Sequence, residues 1–296
     1  MRKKLPIIFM VVIFLIGLGI MLYPVISNFY IEHKQSTVIN NYEKVIENTS
    51  NEELKAEIER AQKYNELLTG NVIITDPFDL EAQKKLKEDT DYFNIINLAG
   101  DGIMGYISIP KINVKLPIYH GTSEEVLQKG VGHLENTSLP IGGEGSHSVL
   151  SGHTGLSTAK LFTDLNKVEE GNIFYMEVLG EKLAYKVDQI KIVEPHDTSD
   201  LVINSTEDYV TLVTCTPYGV NSHRLLVRGV RVPYTEQIEK EIEKEQSDKV
   251  RSTWLTEYFK ALTIGLSVLG VILIIFIIFI LVRKKISRKK NLKGEK

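Results

Sequence analysis

Cys215 is the single cysteine of this 296-residue chain, and its neighbours give it chemical interest. It ends a strand-like run, Thr211-Leu212-Val213-Thr214-Cys215, and leads into the turn-forming Thr216-Pro217-Tyr218-Gly219. A lone cysteine is by default a small buried hydrophobe. A strand end beside a Pro/Gly loop, however, is where a rigid scaffold presents a reactive group. As a nucleophile the thiol needs a base or an ion-pair partner. There are seven histidines: His33, His120, His133, His147, His153, His196 and His223. Any one of them is more often structural or exposed than catalytic. His153 stands out, because Ser151-Gly152-His153-Thr154-Gly155 sets it just after a β run and between two glycines, which permit close approach.

His223 is nearer to Cys215 in sequence but competes with Arg224. Successive strand residues face opposite sides, so one of the two at most faces the cysteine. Leu225 and Val227 share the parity of His223, which suggests the buried face; Arg224 and Arg228 share the other. Either arginine could be the cationic partner by pattern alone.

Composition excludes several alternatives. The chain is 43% hydrophobic and 25% charged, as in an ordinary globular protein. One cysteine allows no internal disulfide, cysteine zinc finger or iron–sulfur cluster. The net charge of −3 hides an asymmetry: residues 1–4 carry +3, residues 283–296 carry +7, and the body between carries −13. An acidic body argues against a nucleic-acid surface. Gly142-Gly143-Glu144-Gly145 lacks the spacing of a phosphate-binding loop, so no cofactor is expected. Glu124, Glu125, Glu169 and Glu170 are scattered acids that read as solvated, so no metal site is expected.

The basic ends flank apolar runs. Leu5 to Tyr23 is nearly unbroken apolar sequence, and Ala261 to Val282 has no charge. At 1.5 Å per residue both suit a ~30 Å hydrocarbon core. Lys and Arg favour cytoplasmic flanks, so both ends are expected in the cytoplasm with the body outside. The first run is expected to stay uncleaved, since an A-x-A-like site is wanted and the first alanine is Ala56. On an outside domain a free thiol is an oxidation liability that calls for a reason.

The body has a helical front from Ser36 to Leu68, with Ser50-x-x-Glu53 reading as a capping box. An irregular segment containing Asp76-Pro77-Phe78 follows. Short β runs begin at Gly105, the clearest being 106–109, 114–119, 147–151, 183–193, 209–215 and 224–232. Several short strands in so short a stretch suggest a closed or nearly closed barrel.

These residues carry a family resemblance. Thr211-Leu-Val-Thr-Cys215-Thr-Pro-Tyr-Gly-Val-Asn-Ser-His-Arg224-Leu-Leu-Val-Arg-Gly229 resembles the active-site signature of the sortases, in particular the pilus-building class C enzymes. Leu150-Ser-Gly-His153-Thr-Gly resembles their histidine segment, and Gly105 to Gly121 their first two strands. Asp76-Pro77-Phe78 is similar to the lid motif of class C, and two spans around the body fit that class. Thr154 stands where family members often have Arg, and Ser157 where they often have Pro.

The resemblance implies a mainly β chain: a sortase-type closed barrel of about eight strands, with N-terminal helices and a lid loop, flanked by two transmembrane helices. It divides the chain into a cytoplasmic basic start (1–4), a transmembrane helix or uncleaved signal anchor (5–26), and an N-terminal helical pair (36–69). A lid segment (70–97), the catalytic barrel (98–233) and a charged, solvated stalk (234–258) follow. The chain then closes with a transmembrane helix (261–282) and a basic cytoplasmic tail (283–296). The implied activity cuts a Leu-Pro-x-Thr-Gly-like signal between Thr and Gly, holds the acyl group as a thioester, and passes it to a lysine of another pilin. Wall anchoring through a peptidoglycan-precursor amine is the alternative. Cys215 would be the nucleophile, His153 the acid–base and Arg224 a fixed donor that cannot lose its proton. With ordinary pKa values of ~8.5 and ~6.5, the thiolate–imidazolium pair is roughly 1% of the population near neutral pH. In the implied lid, Asp76 would engage Arg224, Phe78 would lie against the Cys215 sulfur, and Pro77 would stiffen the link. A partly exposed ion pair there is worth only ~0–1 kcal/mol.

Two other classes fit less well. Papain-like and amidase-type hydrolases place Cys before His and on a helix N-terminus, the reverse of the order here. A purely binding adaptor leaves the free thiol and the His-Gly loop without a purpose.

Overall fold

The structure is a computed structural model, and it describes residues 5–68, 74–79, 81, 91–156, 158–247 and 250–294. The basic start 1–4, Ser157 and most of the 70–90 stretch lie outside the described residues. The chain forms two compact units, 1–252 and 253–296.

The first unit is built on eight strands: β1 (Ile103–Ile109), β2 (Val114–His120), β3 (Val131–His133), β4 (Ser146–Ser151), β5 (Ile173–Val178), β6 (Glu181–Val193), β7 (Asp208–Thr216) and β8 (His223–Val232). They close as a barrel in the order β1-β2-β3-β4-β7-β8-β6-β5, with β5 pairing back onto β1. Closure leaves no free sheet edge. The β2–β3 and β4–β7 pairings are parallel; the rest are antiparallel. The expected barrel is present, with β3 and β5 in addition to the six clearest runs. β3, at three residues, is too short to show alternation.

The core divides into three clusters, two of which are separated by strand alternation. Met104, Ile107, Phe174, Leu212 and Val227 belong to the main one. Leu134, Val149, Leu201, Val213 and Leu226 form another, against which Ile74, Phe78 and Val193 pack. Neighbours Leu212 and Val213 thus serve opposite faces, and mid-β7 is buried on both.

Helix α1 (Leu5–Asn48) is continuous, with Pro24 inside it. Its C-terminal part packs on the barrel through Ile39 and Tyr42, which join Ile103, Tyr106 and Tyr119. The Tyr42 hydroxyl donates to Met104 O at 3.1 Å and accepts from Leu179 N at 2.8 Å. Further up α1, Asn28 Oδ1 accepts from Lys160 N at 3.0 Å, tying the helix to the loop that follows β4. Helix α2 (Asn51–Leu67) begins with the capping box read from the sequence: Ser50 Oγ accepts from Glu53 N, and the Glu53 carboxylate accepts from Ser50 N. Helix α3 (Glu124–Lys129) lies between β2 and β3.

Two stretches differ from expectation. Tyr92, Ile95 and Ile96 fall within the expected lid segment but belong to the core. Tyr92 is fully buried, with its hydroxyl 2.9 Å from His133 Nδ1, and Ile95 and Ile96 are buried beside it. Likewise 234–258 is not simply a solvated stalk. It contains helix α4 (Glu236–Ser247), which buries Ile242 and whose Glu245 accepts from Ile173 N at 3.1 Å and Asn172 Nδ2 at 3.2 Å. Its charged face is solvated, while a minority of apolar and bonding side chains decide its docking.

The second unit is one helix, α5 (Thr253–Gly294). Val12–Asn48 in α1 and Thr253–Ile272 in α5 are long and apolar enough to cross a membrane, with mean hydropathies of 2.1 and 1.4 and no part of either apolar window buried.

Candidate active site

The register of β7 against β8 separates the two arginines. Cys215 lies opposite Arg224, whereas Thr211 lies opposite Arg228. Arg228 is engaged elsewhere, by two hydrogen bonds to Asp188 at 2.6 and 3.2 Å, with its guanidinium 4.2 Å from the centre of the Tyr209 ring. The parity reading holds for Leu225 and Val227, which are buried. His223, on the same parity, sits at the strand mouth beyond the core, exposed and 2.8 Å from Ser222 Oγ.

His153 follows β4 by two residues. The parallel β4–β7 ladder sets Ser151 against Val213, then continues as Gly152 N donating to Val213 O at 3.1 Å. Thr214 Oγ1 donates to Gly152 O at 2.7 Å. The histidine segment is thereby laid along the strand that delivers Cys215. Phe162 N closes the loop onto His153 O at 3.0 Å, and the Phe162 ring sits where a side chain at Gly152 would be, 2.7 Å from such a Cβ. That contact explains the glycine.

Segment 74–79 covers this region. Asp76 takes both forks of Arg224: Nε donates to Oδ1 at 2.8 Å and Nη2 to Oδ2 at 2.6 Å. The two side chains are only 9% and 11% exposed. The pair is therefore bidentate and nearly buried, stronger than the exposed pair the sequence suggests. Pro77 is buried. The Phe78 ring lies 5.6 Å from the His153 ring and 5.2 Å from the Arg224 guanidinium. The ring thus lies close to both the histidine and the arginine. Ile74 O accepts from Thr198 Oγ1 at 3.4 Å, and the turn is closed by Asp79 N donating to Asp76 O.

The electrostatics of this arrangement keep the thiol protonated. Burial pushes the half-buried Cys215 thiol up; the Arg224 charge offsets part of the rise, and Asp76 adds to it. Burial lowers His153, with Glu124 acting in the opposite direction. Both shifts make a thiolate–imidazolium pair scarcer than ordinary values give.

Glu124 is the residue that sequence reasoning missed. Its Oε2 is 3.6 Å from His153 Nε2. No local pattern marks it, because the approach depends on how α3 and the loop after β4 meet across the barrel rim. The buried histidines serve structure. His147 reaches Val202 O and Thr211 Oγ1, and His120 reaches Ile95 O and Gly102 O. His33 and His196 are exposed. A cavity of about 330 Å³ between α1, β2 and α4 is lined by Asn28, Gln35, Lys115 and Lys160, and by none of Asp76, His153, Cys215 or Arg224. Among the described residues no group of three or more His, Cys, Asp or Glu could hold a metal ion.

A sortase domain matches residues 107–232. The structure of Streptococcus pneumoniae sortase C matches with a TM-score of 0.62 at 46% identity, over 67% of this chain and 98% of that one. The chain belongs to the sortase family. This sortase is also similar to sortase C1 of GBS pilus island 1, at 46% identity and a TM-score of 0.60 over 68% of this chain and 94% of that one. It is 33% identical to sortase D of Bacillus subtilis over 131 residues, which are 43% of this chain and 63% of the relative's length. The matched domain contains His153, Cys215 and Arg224. Segment 74–79 lies before it in sequence and meets it in space through Arg224.

Proposed function

We propose that this sortase is a membrane-anchored class C transpeptidase that joins pilin subunits. The observation that carries the reading is the pairing of Cys215 with Arg224 under a segment whose Asp76 occupies that arginine. A Leu-Pro-x-Thr-Gly-like signal enters when the segment lifts. The Cys215 thiolate attacks the Thr carbonyl carbon, and the tetrahedral oxyanion takes donors from Arg224 freed of Asp76. The Thr–Gly bond breaks with the His153 imidazolium protonating the leaving amine. The thioester is then attacked by a pilin lysine amine, whose proton passes to the His153 imidazole as the thiolate is released. Arg224 stays charged throughout and serves as a donor.

The closed segment is an autoinhibitory lid. It holds Arg224 on a carboxylate and keeps the thiol in its unreactive protonated form. The apolar parts of α1 and α5 anchor the enzyme, with both basic chain ends cytoplasmic and the barrel outside.

The test uses the full chain in detergent with candidate pilin sorting peptides, followed by mass spectrometry. Wild type should gain the acyl mass on Cys215, lose it to a pilin peptide bearing the acceptor lysine, and give a peptide–peptide isopeptide. Cys215→Ala and His153→Ala should form no adduct. Adduct formation by Cys215→Ala, or transfer only to a peptidoglycan-type amine, would overturn the reading.

A further inference from the structure

His153 Nε2 is buried and has no hydrogen-bond partner. Facing it is Glu124 Oε2 at 3.6 Å, an ion-pair distance that is too long for a hydrogen bond. The carboxylate is aimed. Gln128 Nε2, one turn along α3, donates to Glu124 Oε1 at 2.9 Å and leaves Oε2 for the imidazole. Ser123 Oγ accepts from Val126 N and sets the start of the helix. The His153 ring is held on another side by Phe78.

We propose that Glu124 is the positioning carboxylate of the acid–base histidine: it fixes the His153 ring through Nε2 and holds the imidazolium in place, leaving Nδ1 for proton transfer. This rests on the transpeptidase reading of His153 above. A carboxylate on one ring nitrogen sets which nitrogen carries the mobile proton. It also raises the share of imidazolium, which the first half-reaction consumes. The other ionisable groups around the cleft do not supply this. Arg224 and Asp76 neutralise one another on the far side of the Phe78 ring, Cys215 sits beside Arg224, and the neighbouring Glu125 is paired with Lys129 at 3.2 Å. Glu124 is half-exposed, so its removal leaves the packing of the barrel intact.

The decisive comparison is Glu124→Gln against Glu125→Gln in the full chain. When the active form is a thiolate–imidazolium pair, its population scales with the gap between the two pKa values. Lowering His153 therefore moves the acid limb of kcat/KM to lower pH and lowers the plateau by the same factor. That factor should be roughly threefold to tenfold. Glu124→Gln should show both changes together and Glu125→Gln neither. Carbon-13 NMR of labelled histidine, with the His153 signal assigned by its loss in His153→Ala, should show the midpoint of His153 lowered in Glu124→Gln. This titration needs no turnover, so it stands even if no peptide is acylated, an outcome that would count against the transpeptidase reading alone. An unshifted His153 midpoint in Glu124→Gln, or a rate loss with unmoved pH limbs, would overturn the assignment.

Discussion

Asp76 and Arg224 lie 148 residues apart in sequence, yet they share two hydrogen bonds of 2.8 and 2.6 Å with both side chains nearly out of solvent. The same arginine is the cross-strand neighbour of Cys215. One guanidinium thus links the thiol to segment 74–79. Its charge cannot fully serve the thiol while the carboxylate is bound.

Releasing the segment should expose the thiol. The Asp76→Ala, Phe78→Ala double variant removes the carboxylate and the ring that spans His153 and Arg224. Alkylation of Cys215 by a small thiol reagent should be faster than in wild type by an order of magnitude or more. The main core cluster is untouched, and each kcal/mol lost would lower Tm by only about 2–4 °C. Equal labelling rates in the two proteins would show that the segment does not shield Cys215.

The pH at which the thiol becomes reactive should also move. Burial holds Cys215 up and Asp76 contributes to the rise. In Asp76→Asn the carboxylate charge is gone and Arg224 acts on the sulfur alone, so the midpoint of alkylation rate against pH should fall. A raised folded-state value means that the closed form is favoured while the thiol is protonated, and this stabilisation is lost as pH rises through that value. Wild type should accordingly open at alkaline pH, and in Asp76→Asn, where burial remains the larger cause of the rise, the transition should be weaker and lie at lower pH. An alkylation midpoint that does not move in Asp76→Asn would remove Asp76 from the control of the thiol.

The two strand arginines should separate in function. Arg224→Lys keeps the charge but loses the planar fork, and acyl-enzyme formation should fall by ~10²–10³-fold, the usual loss for an oxyanion donor. Arg228→Lys, which loosens the contacts with Asp188 and Tyr209, should change Tm slightly and the acylation rate less than a few-fold. A silent Arg224→Lys beside a damaging Arg228→Lys would reverse the assignment.

Three buried histidines predict acid sensitivity. Burial lowers His120 and His147, and lowers His133 to about 3. In the unfolded chain they bind protons near pH 6.5, while the folded barrel holds them neutral. Their contribution is complete above that value and is lost as pH falls toward 3. The urea midpoint should decline steadily over this window, with net proton uptake on unfolding. A flat midpoint between pH 6 and 4 would show that these side chains are charged in the native barrel.

Local patterns made several features of this chain readable without its structure. A single cysteine at a strand end, a histidine between glycines, the Ser50–Glu53 capping box and two apolar runs each depend on residues a few positions apart. Strand periodicity also separated the inward Leu225 and Val227 from Arg224 and Arg228. Features that depend on strand register lay beyond local pattern, and the choice of Arg224 and its pairing with Asp76 came from the family resemblance alone. Arg224 rather than Arg228 meets Cys215 because β7 and β8 pair at one offset, and a shift of four residues would exchange them. His223 is exposed because β8 begins beyond the core. Phe78 reaches His153 and Arg224, and Glu124 faces His153, because α3, the loop after β4 and segment 74–79 converge at one rim of the barrel. Alternation along a strand is set by backbone geometry that each residue carries. Which strands and loops become neighbours is set by burying three apolar clusters at once, and that is a property of the closed sheet as a whole.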